Sequence, residues 1–140
     1  MPTIFTKIIE GEIPGTFVWK DTRCVAFMSI NPLRAGHVLV VPREEIDHWL
    51  DCPPDLLDHL MQISRTIGKA LYEVHSPKKV GLMIAGLEVP HLHIHVVPMD
   101  GVHDLDFANA AASVDREELE SEAGSIRDAL LSMGADGVSD

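Results

Sequence analysis

The chain has 140 residues and a mass of 15.4 kDa, which suits one domain with its own hydrophobic core. Its 11 basic and 22 acidic residues give a net charge of −11, which argues against binding to nucleic acid or to an anionic membrane surface. No segment is apolar enough to span a membrane, no secretory signal begins the chain, and Cys24 and Cys52 are its only cysteines, so we expect a cytoplasmic protein.

The predicted elements alternate between strands and helices along the chain. A short helical turn is expected over residues 7–12, followed by three strands rich in apolar residues, Phe17–Trp19, Cys24–Ile30 and His37–Val41. Proline suits a first helical turn, so the longest helix is predicted to begin at Pro53-Pro54 and to run to residue 74, with an apolar stripe of Leu56, Leu60, Ile63, Ile67, Leu71 and Val74. Two more strands are predicted, 80–85 and 91–97. His59, on the long helix, is expected to be a surface residue.

The C-terminal part, residues 99–140, is predicted to be a loop and helix extension of the domain formed by residues 1–98. Residues 99–112 lack periodicity and predict a loop. A second helix should start after Asp115, which forms a capping box with Glu118, and end at Gly134. Its predicted apolar stripe is Leu119, Ala123, Ile126, Leu130 and Met133, and residues 135–140 are expected to fray. The pattern as a whole predicts an α+β domain with antiparallel pairing.

Three histidines alternate in the segment His91-Leu92-His93-Ile94-His95. Side chains of a strand alternate between its two faces, so the three imidazoles should share one face while Leu92 and Ile94 point into a core. Two chemistries fit such a row. One is a zinc site, since imidazoles are common zinc ligands. The other is metal-free phosphoryl chemistry, in which one imidazole attacks phosphorus while its neighbours stabilise charge or donate protons.

Four segments accompany the row in a fixed order: Phe5–Pro14, Asp21–Pro32, Gly36–Pro42 and Ala85–Pro90. Together with the row they resemble the histidine triad (HIT) family of nucleotide hydrolases and transferases, in its Hint-like bacterial branch, over roughly residues 4–98. The resemblance implies an antiparallel sheet, a two-fold homodimer, and a purine nucleotide or nucleotide conjugate as the ligand. No cofactor is expected.

The resemblance also implies roles for individual residues. His93 would be the nucleophile that becomes nucleotidylated, and His95 would bind the phosphoryl group. His91 and His37 would support orientation and charge. An apolar pocket for the purine is implied at Phe5, Ile8, Phe27, Ile30 and Leu39.

The chain departs from the family pattern at several positions. Ser29 stands where the family often has an aspartate that binds the ribose hydroxyls. Leu87-Glu88 replaces a polar pair at the phosphate and leaving group, so Glu88 would repel phosphate if ionised or donate a proton if its pKa were raised. Thr3 and Thr6 replace a Cys-x-x-Cys zinc pair of many bacterial members, so a structural zinc, or any other metal, is not expected.

The sequence therefore predicts hydrolysis of a nucleoside 5′-phosphoramidate or related nucleotidyl linkage through a covalent nucleotidyl-histidine intermediate. Two alternatives stay open at this point. One is a nucleotide-binding regulatory module with little turnover, because Leu87-Glu88 is altered. The other is a metal-binding protein that uses the histidine row.

Overall fold

A computed structural model describes residues 2–140 and shows one antiparallel sheet with helices packed on it. The strands are β1 (Phe17–Lys20), β2 (Cys24–Met28), β3 (Val38–Pro42), β4 (Lys79–Met83) and β5 (Ile94–Met99), in the spatial order β1-β2-β3-β5-β4. The helices are α1 (Ile4–Ile9), α2 (Pro54–His75) and α3 (Arg116–Ser132). The predicted α+β class is confirmed.

The two faces of the sheet have different cover, and strand alternation decides which residue lies on which face. Val38 and Val40 of β3 belong to the main core, which α2 and α3 complete. Leu39 and Val41 of the same strand face the other way, into a smaller cluster with Phe5, Val25 and Phe27. The second face is therefore apolar at the β2–β3 side and carries the site described below.

Helix α2 supplies the largest part of the main core. It begins at Pro54 and ends at His75, where Ser76 takes a left-handed conformation with φ 47°. The predicted stripe is confirmed, since Leu56, Leu60, Ile63, Ile67 and Leu71 are all buried. His59, expected at the surface, is half-buried on this helix, and its Nε2 lies 2.8 Å from Oδ2 of Asp21.

The predicted strand over residues 91–97 is wrong at its start, because β5 begins only at Ile94. Before that point the backbone bonds elsewhere: the N–H of His91 donates to the carbonyl of Val89 at 2.8 Å, and that of Leu92 to the carbonyl of Ile46 at 2.6 Å. Pro90 also has no N–H to donate to a strand ladder. The alternation survives this irregularity, since Leu92 and Ile94 lie in the main core and His93 and His95 face away from it.

Helix α1 begins earlier than predicted. Thr3 is its N-cap, and the Thr3 hydroxyl accepts from the N–H of Thr6 at 3.1 Å. At the other end of the chain α3 is capped by Asp115 as predicted, although the carboxylate accepts from the N–H of Glu117. Its stripe of Leu119, Ala123, Ile126 and Leu130 is buried, whereas Met133 is exposed.

Two further expectations about the C-terminal part are corrected. The predicted loop contains two short 3-10 turns, Val102–Leu105 and Phe107–Asn109. The tail does not fray, because Lys20 donates to the carbonyl of Gly137 at 2.9 Å and Ser139 donates to that of Val18 at 3.1 Å. The tail thus covers the open edge of β1, which would otherwise present unpaired backbone groups. No helix among residues 2–140 is both long and apolar enough to cross a membrane.

Candidate active site

Four histidines meet on the face of the sheet opposite α2. The ring centroids of His93 and His95 lie 4.9 Å apart, and those of His37 and His95 lie 5.1 Å apart. His95 stands on β5 directly across from Leu39 of β3. His37 precedes β3, and all of these imidazoles are buried except for a small exposed fraction. The fold therefore brings His37 to the row from 58 residues away in sequence, and packs it against His95.

One backbone hydrogen bond sets the protonation of the His37–His95 pair. The N–H of Leu33 donates to Nδ1 of His37 at 3.0 Å, so the proton of neutral His37 is on Nε2. That Nε2–H donates to Nδ1 of His95 at 2.9 Å, so the proton of neutral His95 is on its own Nε2. Burial and the neighbouring histidines lower the pKa of His37 to about 4 and the pKa of His95 to about 3. Both rings are therefore neutral at neutral pH, and His95 presents an N–H donor.

His93 has the opposite arrangement. Its Nδ1–H donates to the carbonyl of His91 at 2.7 Å, which leaves a lone pair on Nε2. Every buried polar side-chain atom among residues 2–140 has a hydrogen-bond partner. Neither Nε2 of His93 nor Nε2 of His95 has a hydrogen-bond partner among residues 2–140, so both atoms are in contact with solvent. Burial lowers the pKa of His93, so the site offers a neutral nucleophile beside an N–H donor.

His91 differs from the other two members of the row because both of its nitrogens are occupied. Nε2–H donates to the carbonyl of Pro42 at 2.7 Å, and Nδ1 accepts from the Thr3 hydroxyl at 2.7 Å. Burial also lowers the pKa of His91. This position supports an orienting role rather than a charged one, since the His91 carbonyl holds His93. Of the imidazole nitrogens of the row, only Nε2 of His93 and Nε2 of His95 are then free to bind a metal ion.

The positions of the zinc pair implied by the family resemblance are filled by a hydrogen-bonded network, which we call the N-terminal clasp (Thr3, Thr6, Glu45 and His91). The Thr6 hydroxyl donates to Oε1 of Glu45 at 2.5 Å, and the N–H of Thr3 donates to the same oxygen at 2.7 Å. These bonds lower the pKa of Glu45. Threonine hydroxyls do not replace the thiolates of a structural zinc site, and here they donate to His91 and Glu45 instead. The donor set does not fit the zinc of the family.

A second compact cluster lies away from the histidines. The side chains of Asp21, Cys24 and His59 offer ligand atoms that lie within 4.8 Å of one another. However, Asp21 already accepts from the backbone N–H groups of Arg23 and Cys24 at 2.8 Å, and from Nε1 of Trp19 at 2.9 Å. Burial raises the pKa of the Cys24 thiol, which disfavours the thiolate form that binds metal. The cluster therefore serves to clamp the β1–β2 turn.

The apolar residues assigned to the purine lie beside the histidines, with one exception. Phe5, Phe27 and Leu39 form one cluster, against which Ile8 packs. The Phe5 ring is edge-on to His93, with centroids 4.9 Å apart. Ile30 lies outside this cluster and is 69% exposed.

Ser29 and Glu88 are two positions at which the chain departs from the family pattern near the site. The Ser29 hydroxyl accepts from the N–H of Asn31 at 3.3 Å, which caps the turn before Pro32, and its predicted contact with ribose stays a prediction. Glu88 lies exposed in the loop between β4 and β5, and its charge acts to raise the pKa of His93 against the effect of burial.

Sequence reasoning missed the partners that hold the histidines. Thr3 and His91 are 88 residues apart, and no local pattern connects them. The same holds for Phe107, whose ring packs edge-on to His95 with centroids 5.2 Å apart and planes at 65°. A lone phenylalanine in a segment without periodicity carried no signal.

These features define a class of protein: a single antiparallel sheet that carries a histidine with a free Nε2 lone pair, an imidazole N–H donor and an adjoining apolar cluster. The sequence description of the HIT domain matches residues 10–102, and the chain belongs to this family. A HIT-like protein of Borreliella burgdorferi is 36% identical over 102 residues, covering 68% of this chain and 73% of that protein.

Two other relatives bear on function and fold. Adenosine 5′-monophosphoramidase HNT1 of Saccharomyces cerevisiae is 32% identical over 96 residues, covering 68% of this chain and 61% of that protein. The solved structure of a Hit-like protein of Bartonella henselae, described as involved in cell-cycle regulation, matches with a TM-score of 0.81 at 31% identity. That match covers 91% of this chain and 95% of the other, so it includes much of the C-terminal part.

Proposed function

We propose that the chain hydrolyses a nucleoside 5′-phosphoramidate or a related purine nucleotidyl linkage through a covalent nucleotidyl-His93 intermediate. The observation that carries the proposal is the opposite protonation of two neighbouring nitrogens: Nε2 of His93 has a lone pair, whereas Nε2 of His95 has a proton. The yeast relative named as an adenosine 5′-monophosphoramidase supports the proposed class of reaction.

In the first step Nε2 of His93 attacks the α-phosphorus, and the bond from phosphorus to the leaving nitrogen breaks with its electron pair on nitrogen. His95 donates its Nε2–H as a hydrogen bond to a phosphoryl oxygen and keeps the proton. His93 becomes cationic as it forms the nitrogen–phosphorus bond, and its Nδ1–H stays bonded to the His91 carbonyl. The leaving nitrogen takes up a proton from solvent water.

In the second step water attacks the phosphorus and displaces His93. The Glu88 carboxylate accepts the proton of that water and passes it to solvent, which balances the proton taken up in the first step. The products are a nucleoside monophosphate and an amine. His37 acts through His95, because its Nε2–H fixes the proton of His95 on the nitrogen that faces the phosphate. His91 acts through His93, because its carbonyl holds the proton of His93 on Nδ1 and leaves Nε2 free.

The proposal also covers the ligand's nucleoside part and the setting of the enzyme. Phe5, Ile8, Phe27 and Leu39 would enclose the purine, with Ile30 at the exposed margin and Ser29 toward the ribose. A homodimer is supported by the open edge of the sheet at β4, where Leu82 is 44% exposed. A cytoplasmic location is supported by the two free cysteines. No cofactor, nucleic acid or membrane partner is proposed.

The test is a substrate screen read by mass spectrometry. Adenosine and guanosine 5′-phosphoramidates are mixed with the protein, quenched in base, and searched for a nucleotidyl adduct on His93. Turnover should be lost in His93→Ala while AMP binding is retained, because the variant loses the nucleophile and keeps the pocket. Near-normal turnover by His93→Ala would refute the covalent route. His59→Ala is the matched control, since this histidine lies outside the site.

A second candidate is a nucleotide-binding module with little turnover. It is favoured by the segment Leu87-Glu88, because Leu87 is 94% exposed and offers no polar group to a leaving group. This module would bind AMP as tightly as an active relative, yet form no adduct and release no amine from any phosphoramidate in the screen. Restoration of turnover by Leu87→Gln together with Glu88→Ser would identify this pair as the cause.

A further inference from the structure

A segment that lies largely beyond the matched HIT domain reaches the histidines. We call residues 100–112 the strap. At one end Asp104, buried, accepts from the backbone N–H groups of Asp100 and Gly101 at 2.8 and 3.1 Å and pairs with Arg34 at 2.9 Å. At the other end the Asn31 side chain donates to the carbonyls of residues 111 and 112 at 3.1 and 2.8 Å. The strap is therefore fixed on both sides of Phe107.

Phe107 projects from the strap onto His95. Its ring is edge-on to the imidazole with centroids 5.2 Å apart, so His95 is bordered by His93, His37 and Phe107. About half of the phenylalanine is exposed, 48%. Nε2 of His95 also reaches solvent, so the imidazole and the phenylalanine ring that packs on it both have exposed atoms.

Strap residues contact elements on both sides of β5, since Asn31 and Arg34, which hold the strap, lie between β2 and β3. Leu105 packs beside Gly81 of β4, the strand on one side of β5. Leu39 and Phe27, which form the apolar cluster, belong to β3 and β2 on the other side of β5. If the base of a ligand occupies the cluster and its phosphoryl group meets His95, then Phe107, which contacts His95 and lies outside the cluster, is available to the remaining substituent.

We propose that Phe107 is a specificity-determining residue, whose exposed ring binds an apolar or aromatic leaving group. The inference rests on the proposed function, which supplies the phosphoryl group at His95. An exposed aromatic ring beside a polar anchor favours apolar over small polar groups, and discrimination by such contacts is on the order of 10–200-fold. The edge contact also shields the His37–His95 pair, consistent with the lowered pKa of His95.

The experiment compares two substrates, adenosine 5′-phosphoramidate, which releases ammonia, and its N-benzyl derivative, which releases benzylamine. In Phe107→Ala, kcat/KM for the benzyl substrate should fall on the order of tenfold, with a small change for the unsubstituted one. Phe107→Leu, which keeps apolar bulk, should give an intermediate loss. Val102→Ala is the matched control, because Val102 is a strap residue that is 83% exposed. We expect this variant to leave kcat/KM unchanged for both substrates.

A binding arm separates this inference from the proposed function. Calorimetry with His93→Ala, alone and combined with Phe107→Ala, measures the affinities for AMP and for both phosphoramidates without turnover. Loss of the preference for the benzyl compound in the double variant, with unchanged AMP affinity, supports the inference even if the wild-type chain hydrolyses nothing. Equal losses for both phosphoramidates, or no loss for either, overturn it.

Discussion

Replacing Thr3 with valine tests whether the N-terminal clasp holds the catalytic row. Valine keeps the shape of threonine and removes the hydroxyl that donates to Nδ1 of His91. His91 is fully buried, so its nitrogen cannot turn to water, and an unsatisfied buried acceptor costs about 1–3 kcal/mol. The same hydroxyl caps α1, and loss of an N-cap costs about 1 kcal/mol. The expected loss of unfolding free energy is about 2–4 kcal/mol.

Thermal unfolding measures this loss directly. With an unfolding entropy of about 2.1 cal/mol/K per residue, a chain of 140 residues loses about 3.4 °C of Tm per kcal/mol. Thr3→Val should therefore lower Tm by about 7–14 °C, whereas Thr3→Ser, which keeps the hydroxyl, should stay within about 2 °C. Thr66→Val is the matched control, because it removes an exposed hydroxyl whose only bond is to its own helix.

The clasp should also affect catalysis more than binding. His91 presents the carbonyl that orients His93, so a disturbed His91 should lower kcat while KM for the nucleotide changes little. If Thr3→Val keeps the wild-type Tm within about 2 °C and the wild-type kcat, the clasp does not hold the row and the reasoning fails.

Three other outcomes are expected from the site and its surroundings. Metal analysis of the untagged protein should find well under one zinc per chain and activity should survive EDTA, because the clasp contains no thiolate; stoichiometric zinc lost together with activity would contradict this. Light scattering near neutral pH should give about twice the chain mass of 15.4 kDa, and a monomer at micromolar concentration would count against the dimer. Ser29→Asp should raise kcat/KM for ribonucleoside substrates on the order of tenfold and less for deoxy analogues, since a charged acceptor binds hydroxyls more strongly; equal changes would remove Ser29 from the site.

The sequence predicted the parts of the fold that depend on local periodicity. The stripe of α2 and the alternation around His93 follow from spacing alone. So does the position of Leu92 and Ile94 in the core, on the face opposite the histidines. The start of β5 could not be predicted this way, because it depends on whether Leu92 bonds to β3 or to the carbonyl of Ile46. That choice is made by a tertiary contact.

The same distinction applies to the site. The histidines were predictable because their residue type carries the chemistry, whereas their protonation depends on the N–H of Leu33 and the carbonyl of His91. Backbone groups have no identity in a sequence, so the hydrogen bonds that support the proposed roles of His93 and His95 are visible only in the folded chain. The tail on β1 and the strap beside Phe107 were missed for a related reason, since polar or aperiodic segments find their partners far away in sequence.

The buried histidines also predict how stability depends on pH. Burial lowers the pKa of His37 to about 4 and of His95 to about 3, whereas an unfolded histidine has a pKa of about 6.5. Between these values the unfolded chain binds more protons than the folded one, so the free energy of unfolding falls as the pH falls below about 6.5. At pH 5 each of the two groups lowers the free energy of unfolding by at most about 2 kcal/mol relative to neutral pH, or by about 4 kcal/mol together.

Tm should therefore be nearly constant from pH 8 to 7 and fall by about 10–14 °C by pH 5, at about 3.4 °C per kcal/mol. The carboxylates with a lowered pKa, Glu45, Asp100 and Asp104, lose their stabilising effect at lower pH, because an ordinary carboxyl group ionises at about 4. His95→Gln should remove about half of the part of this dependence that comes from the His37–His95 pair, since a glutamine oxygen still accepts from Nε2–H of His37 and has no proton to bind. A wild-type Tm that is unchanged between pH 7 and pH 5 would mean that these imidazoles titrate alike in both states. In that case His93 and His95 would not be held neutral by burial, and the assignment of nucleophile and donor would lose its physical basis.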